Sequence, residues 1–232
     1  LLHHVDAPTE TRQRNLIIIR NQAERIARIV RQLLNLSRPH KIRLRRIELT
    51  PLVEETAELI ETQAETARVS IDIQCDDAII EADSELVQQV LLNVFRNAIQ
   101  AMPHGGRLRV ECLKDAAVKD GRSFTALRVS DTGIGIEPQH FPKLFDPFFT
   151  TKEVGQGTGL GLPISIRIVE EHDGWIEAAN GADGGAVFTI YLPQFLPKEA
   201  TAEAITKAGT EARAPGVRPE VMKEKIMKED AA

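Results

Sequence analysis

Glycine is distributed unevenly along this 232-residue chain, and its placement restricts the fold more than any other feature. Asp131-Thr132-Gly133-Ile134-Gly135-Ile136 directly follows a strand-like run, Phe124 to Ser130. Gly155-Gln156-Gly157-Thr158-Gly159-Leu160-Gly161 directly precedes a helix-like run at about 162–172. Gly181-Ala182-Asp183-Gly184-Gly185 joins strand-like runs near 175–179 and 186–192, and reads as a hairpin turn. Glycine lets a backbone take positive φ and approach a ligand closely, and the free amides at a helix N-terminus suit phosphate. The cluster at 155–161 therefore reads as a phosphate cradle. It is not a Walker loop, because no Gly-Lys-Ser/Thr follows, and not a dinucleotide fingerprint, because the third glycine position is Leu162.

The rest of the chain sets these clusters in order. Leu16, Ala23 and Val30 are seven apart, and so are Ile19, Ile26 and Leu33, which predicts one long helix over 10–37 with a heptad seam. Ile17, Ile18, Ile29 and Leu34 widen that seam toward a bundle, and Pro39 ends it. Residues 38–50 read as a basic connector, with Thr50-Pro51 as cap and first residue of a helix over 51–67. Val69 to Ile73 alternates as a strand, and Ile79 to Ala82 forms a second. Asp83 or Ser84 caps a helix over 84–102, strands follow at 107–113 and 124–130, and 116–123 reads as a loop. Because helices do not alternate singly with strands, the order predicts an α+β two-layer sandwich with a mixed sheet rather than a doubly wound fold.

Composition excludes several classes. No apolar run approaches the roughly 18 residues of a membrane span, and Leu1 to Asp6 shows no signal-peptide pattern. Cys75 and Cys112 are too few for a disulfide framework or a four-cysteine zinc site; they are expected as small buried hydrophobes in a reducing, cytoplasmic-type compartment. The net charge of −5 conceals a residue 1–50 arm at +7, with 11 Lys/Arg and 4 Asp/Glu, on a body at −12. The arm's arginines mostly fall off the heptad seam and no aromatics are interleaved, so no nucleic acid is expected. Residues 197–232, rich in Ala, Glu and Lys with three prolines, read as mostly disordered tail or linker.

Within the helix over 84–102, Asn93 and Asn97 stand at i and i+4 on one face. Two amides on an otherwise apolar helix are costly to bury without partners. Beside phosphate loops they point to Mg²⁺ with a nucleotide, since Mg²⁺ needs only one or two protein oxygens plus phosphates.

Four segments together resemble the motif boxes of sensor histidine kinases of two-component systems, closest to the nitrogen-regulation type. Leu91–Met102 resembles the asparagine box, Asp131–Ile136 the first glycine box, Phe145–Lys152 the phenylalanine box and Gly157–Leu162 the second glycine box. The resemblance covers about residues 10–193 and implies the ATP-binding fold shared with DNA gyrase and a heat-shock chaperone. It implies a sheet with helices on one face, preceded by the long helix of a dimerisation hairpin: 1–46 partial hairpin, 47–195 ATP-binding domain, 196–232 tail or linker. Asp131 would accept from the adenine amino group, with Gly133 and Gly135 letting the backbone pass beside the base. Asn97 would ligate Mg²⁺, with Asn93 on its water or phosphate side. Lys152 and the lid residues Gly157, Thr158, Gly159, Leu160 and Gly161 would hold the phosphates. Phe145, Phe148 and Phe149 would pack the lid hinge.

The resemblance also implies the partners: homodimerisation through the 10–37 helix, and the receiver domain of a response regulator, with no membrane contact in these residues. A cytoplasmic location is expected, whether or not the intact protein is anchored. Hydrolysing relatives carry a glutamate where this chain has Asn93, an amide that cannot act as a general base. The implied chemistry is transfer of the ATP γ-phosphoryl group to a histidine. Gln100 stands where a lysine often meets phosphate, and Ala186 where Ser or Thr often meets the adenine edge.

His3 and Pro8 have the acceptor spacing of the family, but His4 replaces its acid, and 35 residues from His3 to Arg38 are too few for both hairpin helices. The acceptor histidine is therefore expected upstream, and His40, His104, His140 and His172 are read as surface or loop histidines. The alternative reading is a non-enzymatic, nucleotide-dependent binding module of the same fold. A related serine kinase is disfavoured by the heptad helix.

Overall fold

The computed structural model describes residues 42–75, 77–152, 157–182 and 184–195, together with residues 11, 13–20 and 22–23. The last group is helical where described, and Leu16, Ile17, Ile18 and Ile19 on it are exposed. The remainder of the 10–37 helix, His3, His4, His40 and the 196–232 segment lie outside the described residues.

The domain opens on β1 (Arg45–Glu48), inside what reads by sequence as connector. It pairs antiparallel with β3 (Ile79–Ala82) in a two-stranded sheet. The helix expected over 51–67 is two helices, α1 (Leu49–Glu58) and α2 (Glu61–Ala67), broken at Leu59-Ile60 where Ile60 turns fully into the core. Thr50 is not the cap: α1 begins one residue earlier, and the Thr50 hydroxyl donates to the Cys75 carbonyl at 3.3 Å.

The main sheet has the order β2-β4-β5-β7-β6. Its strands are β2 (Val69–Cys75), β4 (Gly106–Lys119), β5 (Arg122–Asp131), β6 (Trp175–Asn180) and β7 (Ala186–Pro193). Only β2 and β4 run parallel; the other pairs are antiparallel, so the sheet is mixed, as the element order predicts. The expected loop at 116–123 is mostly strand, with β4 and β5 meeting at Asp120-Gly121. Both turn residues have positive φ, 53° and 75°, the geometry that an Asp-Gly pair favours in a two-residue hairpin.

Alternation decides which face is buried. Leu108, Val110 and Cys112 on β4, Leu127 and Val129 on β5, and Phe188, Ile190 and Leu192 on β7 all face one layer of helices. That layer is α1, α3 (Ser84–Gln100) and α4 (Gly161–Glu171). α3 starts where the Asp83 carboxylate accepts from the Glu85 and Leu86 amides, and its buried stripe runs Leu86, Val87, Val90, Leu91, Val94, Phe95, Ala98, Ile99. Each large side chain so buried contributes about 1.5–3 kcal/mol, enough to hold the helix flat on the sheet.

Two further sequence expectations change. Cys75 and Cys112 form a disulfide, because parallel β2 and β4 are in register there and set the two residues opposite each other, with Cα atoms 4.5 Å apart. His172 is buried, not on the surface. Its Nε2 accepts from the Asp83 amide at 2.9 Å and its Nδ1 donates to the Ile168 carbonyl at 2.7 Å, a pattern that requires the neutral ring protonated on Nδ1. The ring thereby ties the end of α4 to the start of α3. No helix among the described residues is long and apolar enough to cross a membrane.

Candidate functional site

A cleft of about 610 Å³ opens between α3 and the segments that carry the glycine clusters, within the usual range for a small-molecule site. Four polar side chains of α3 line one wall: Asn93, Arg96, Asn97 and Gln100, at i, i+3, i+4 and i+7. The opposite flank of α3 carries its apolar stripe, so core burial aims these polar groups into the cleft.

Asp131 closes one end. It is the last residue of β5 and only 6% exposed. Its Oδ1 accepts from the Gly133 amide at 2.8 Å and the Ala186 amide at 3.1 Å. No donor among the described residues meets Oδ2, which is left for a ligand. Burial pushes the carboxyl above its ordinary range, and the two amides pull it back in part. Both amides reach the carboxylate because glycines let the backbone come close. A Cβ at Gly133 would collide with the Ala101 carbonyl, and one at Gly185, where φ is +73°, with the Asp131 carbonyl. Beyond Gly135, Asn180 clamps the loop by accepting from the Ile136 amide at 2.8 Å and donating to the Ile136 carbonyl at 2.7 Å.

The other end is built from side chains. Lys152 Nζ donates to Asn97 Oδ1 at 3.0 Å and also to Gln100 Oε1. Burial pushes the Lys152 ammonium below its ordinary value. Asn93 Nδ2 donates to the Gly161 carbonyl at 3.2 Å and to Ser165 Oγ at 3.3 Å, joining α3 to the first turn of α4. Gly159, at φ +64°, accepts from the Phe148 amide at 2.8 Å, which pins the glycine loop to the phenylalanine segment. Asn97 Oδ1 already receives a cation in Lys152. A neutral hard oxygen is also the donor chemistry that suits Mg²⁺. Among the described residues no cluster of three or more His, Cys, Asp or Glu offers a metal site of another kind.

Comparison with known proteins adds the lineage. The family described as Histidine kinase-, DNA gyrase B-, and HSP90-like ATPase matches residues 82–195. The signal transduction histidine-protein kinase AtoS of Escherichia coli is 39% identical over 183 residues, 78% of this chain and 29% of AtoS. The solved catalytic domain of histidine kinase ThkA is 32% identical with a TM-score of 0.57, over 66% of this chain and 96% of that one. The chain belongs to this ATPase family.

A third similarity is to ThkA solved in complex with the response regulator protein TrrA, at 28% identity and TM-score 0.65, covering 83% of this chain and 54% of that one. The chain spans only 29–37% of the length of the first curated relatives it matches. All cleft-lining residues, from Asn93 to Phe188, lie inside the segment matched by the ATPase family. The α+β two-layer arrangement is that family's fold.

Of the residues singled out by sequence, the fold brings Asn93, Asn97, Asp131, Gly135, Lys152, Gly157, Thr158, Gly159 and Gly161 to the cleft. Gly133 stands behind Asp131 as an amide donor rather than in the lining. Leu160 is fully buried, so its side chain belongs to the core. The three phenylalanines separate. Phe145 packs against the core, Phe148 is exposed at φ +69°, and Phe149 lines the cleft with its ring 5.5 Å from that of His140. Sequence reading missed Arg96, although the spacing from Asn93 to Gln100 contained it. It also missed Asn180 on β6, the close approach of Gly185 to Asp131, and the bond from the Ala186 amide to the Asp131 carboxylate 55 residues away.

Proposed function

We propose that this chain is the catalytic ATP-binding part of a two-component sensor histidine kinase. It binds Mg-ATP and transfers the γ-phosphoryl group to a histidine on a dimerisation helix, for relay to a response-regulator aspartate. The reading rests on one observation: a carboxylate with a free acceptor oxygen and a lysine–asparagine pair converge on one cleft, closed by a glycine loop. Asp131 Oδ2 accepts from the adenine amino group, an acceptor-only role that fits a carboxylate. Lys152 turns from Asn97 and Gln100 to the phosphates, and the amides of Gly157–Gly161 at the start of α4 take phosphate oxygens. Asn97 holds Mg²⁺, which when bound neutralises phosphate charge, with Asn93 on the phosphate side. In the transfer, the bond from the γ-phosphorus to the bridging oxygen breaks as one forms to the histidine ring nitrogen, releasing ADP and the ring proton.

Asn93 supports transfer over hydrolysis. Its amide is engaged with Gly161 and Ser165 and offers no base to a water. The exposed apolar residues Leu16 to Ile19 support dimerisation through the 10–37 helix. ThkA, solved with a response regulator, supports a receiver domain as the downstream partner.

Calorimetry with ATP and ADP at millimolar Mg²⁺ tests the site, and radiolabel transfer to a separately supplied dimerisation domain tests the reaction. Saturable binding and histidine labelling are expected. No binding of either nucleotide would end this reading. Binding without labelling would leave the non-enzymatic module in its place.

A further inference from the structure

We infer that Arg96 is the residue that recognises the terminal phosphoryl group and separates triphosphate from diphosphate in this site. The inference rests on the nucleotide reading above. Arg96 lines the cleft on the same α3 stripe as Asn93, Asn97 and Gln100. Its guanidinium makes no hydrogen bond or ion pair with any described residue. Lys152, by contrast, is held by Asn97 and Gln100, while Arg109, Arg122 and Arg167 are each paired with carboxylates away from the cleft.

Position along the cleft assigns the ligand atom. The Ile134 amide bonds the Ala101 carbonyl, so the C-terminal end of α3 abuts Asp131 and the base end. Going away from Asp131 the wall presents Gln100, then Asn97, then Arg96, then Asn93, which bonds the start of α4. Arg96 stands five residues before Ala101, roughly 7 Å of helix rise farther from the base end. Lys152 meets α3 nearer that end, at Asn97 and Gln100, where the inner phosphates pass. The guanidinium lies beyond, where only a third phosphoryl group reaches. Its planar fork binds phosphate oxygens in pairs and never loses its charge. It therefore offsets the charge of the phosphoryl group that leaves and holds that group in line for transfer.

The test compares ATP, a non-hydrolysable triphosphate analogue and ADP by calorimetry with Mg²⁺, using the whole chain and its Arg96→Ala, Arg96→Gln and Arg96→Lys variants. Arg96 is exposed to solvent within the cleft wall rather than buried in the core, so thermal unfolding of the variants is expected to match the parent. The Ala and Gln variants should lose about tenfold or more in affinity for both triphosphates, keep ADP within about twofold, and recover part of the loss in the Lys variant. Equal losses for ATP and ADP, or no loss for either, overturn the inference. Unchanged nucleotide affinities with a raised KM for the supplied dimerisation domain also overturn it, by assigning the guanidinium to a protein carboxylate. If the parent binds neither ATP nor ADP, the site reading itself has failed, an outcome distinguishable from all of these.

Discussion

The two ends of the cleft are built on different principles. At the Asp131 end the partners are backbone: the amides of Gly133 and Ala186, brought close by glycines at 133 and 185. Such donors have no side-chain freedom to lose when a ligand arrives. At the Lys152 end the partners are long side chains that bond one another, Lys152 with Asn97 and Gln100, and these contacts must be exchanged for phosphate oxygens. The first end is preorganised for shape and for one hydrogen-bond pattern. The second is adaptable and governed by charge. Base selectivity should therefore depend on backbone geometry, and phosphate affinity on ionic conditions.

Gly185→Val should break the backbone-built end most severely. It places a β-branched residue at φ +73° against the Asp131 carbonyl. Strain of about 1–3 kcal/mol adds to the clash, and urea unfolding should show the loss together with abolished nucleotide binding. Asp131→Asn is expected to separate binding from stability. Adenine recognition should fall about tenfold to a hundredfold, the worth of a hydrogen bond to a charged group. The unliganded protein should become more stable at neutral pH, because a buried carboxylate is replaced by a neutral amide. A lower melting temperature for this variant would contradict the burial argument.

Lys152→Met sharpens the other end. ATP affinity should fall about tenfold while adenosine binding stays unchanged, and added salt should weaken ATP in the parent more than in the variant. Acidity provides a smaller test of the Asp131 end. Its folded-state pKa is raised, so in acid the folded chain holds a proton that the unfolded chain has released. Stability from this group therefore decreases as pH rises from the ordinary aspartate value through the raised one. Nucleotide affinity changes in the opposite sense, weakening as pH falls through the raised pKa, and titrations at stepped pH should show both. The mildest change for the cleft is His172→Leu. It strands the Asp83 amide at a cost of about 1–3 kcal/mol in unfolding free energy, with nucleotide affinity within about twofold, because His172 ties α4 to α3 away from the cleft.

Much of this site is legible in the sequence because its determinants are local. The 84–102 periodicity yields α3, and helical spacing alone sets Asn93 and Asn97 on one polar stripe. Asp131 and its glycines fall at a strand end in a single short motif. The Asp120-Gly121 turn was also local, yet the Lys- and Asp-rich flanks of 114–120 conceal the strand period, so a hairpin reads as a loop. His172 and the Cys75–Cys112 pair were not legible. One depends on α4 docking beside Asp83, the other on parallel register between strands 37 residues apart.

Sequence by itself determined the order of strands and main helices from β2 to β7, the mixed α+β sandwich, the polar stripe on α3 and the glycine loops, since each follows from periodicity or from a glycine's freedom within a few residues. Only the tertiary structure decided that Ala186 bonds Asp131, that Asn180 clamps Ile136, that Lys152 lies across Asn97 and Gln100, and that Arg96 faces the same cleft with no partner among the described residues. The physical reason is range. A hydrogen bond between residues 40 to 55 apart depends on how sheet and helices pack, and packing is decided by the whole buried core rather than by any motif.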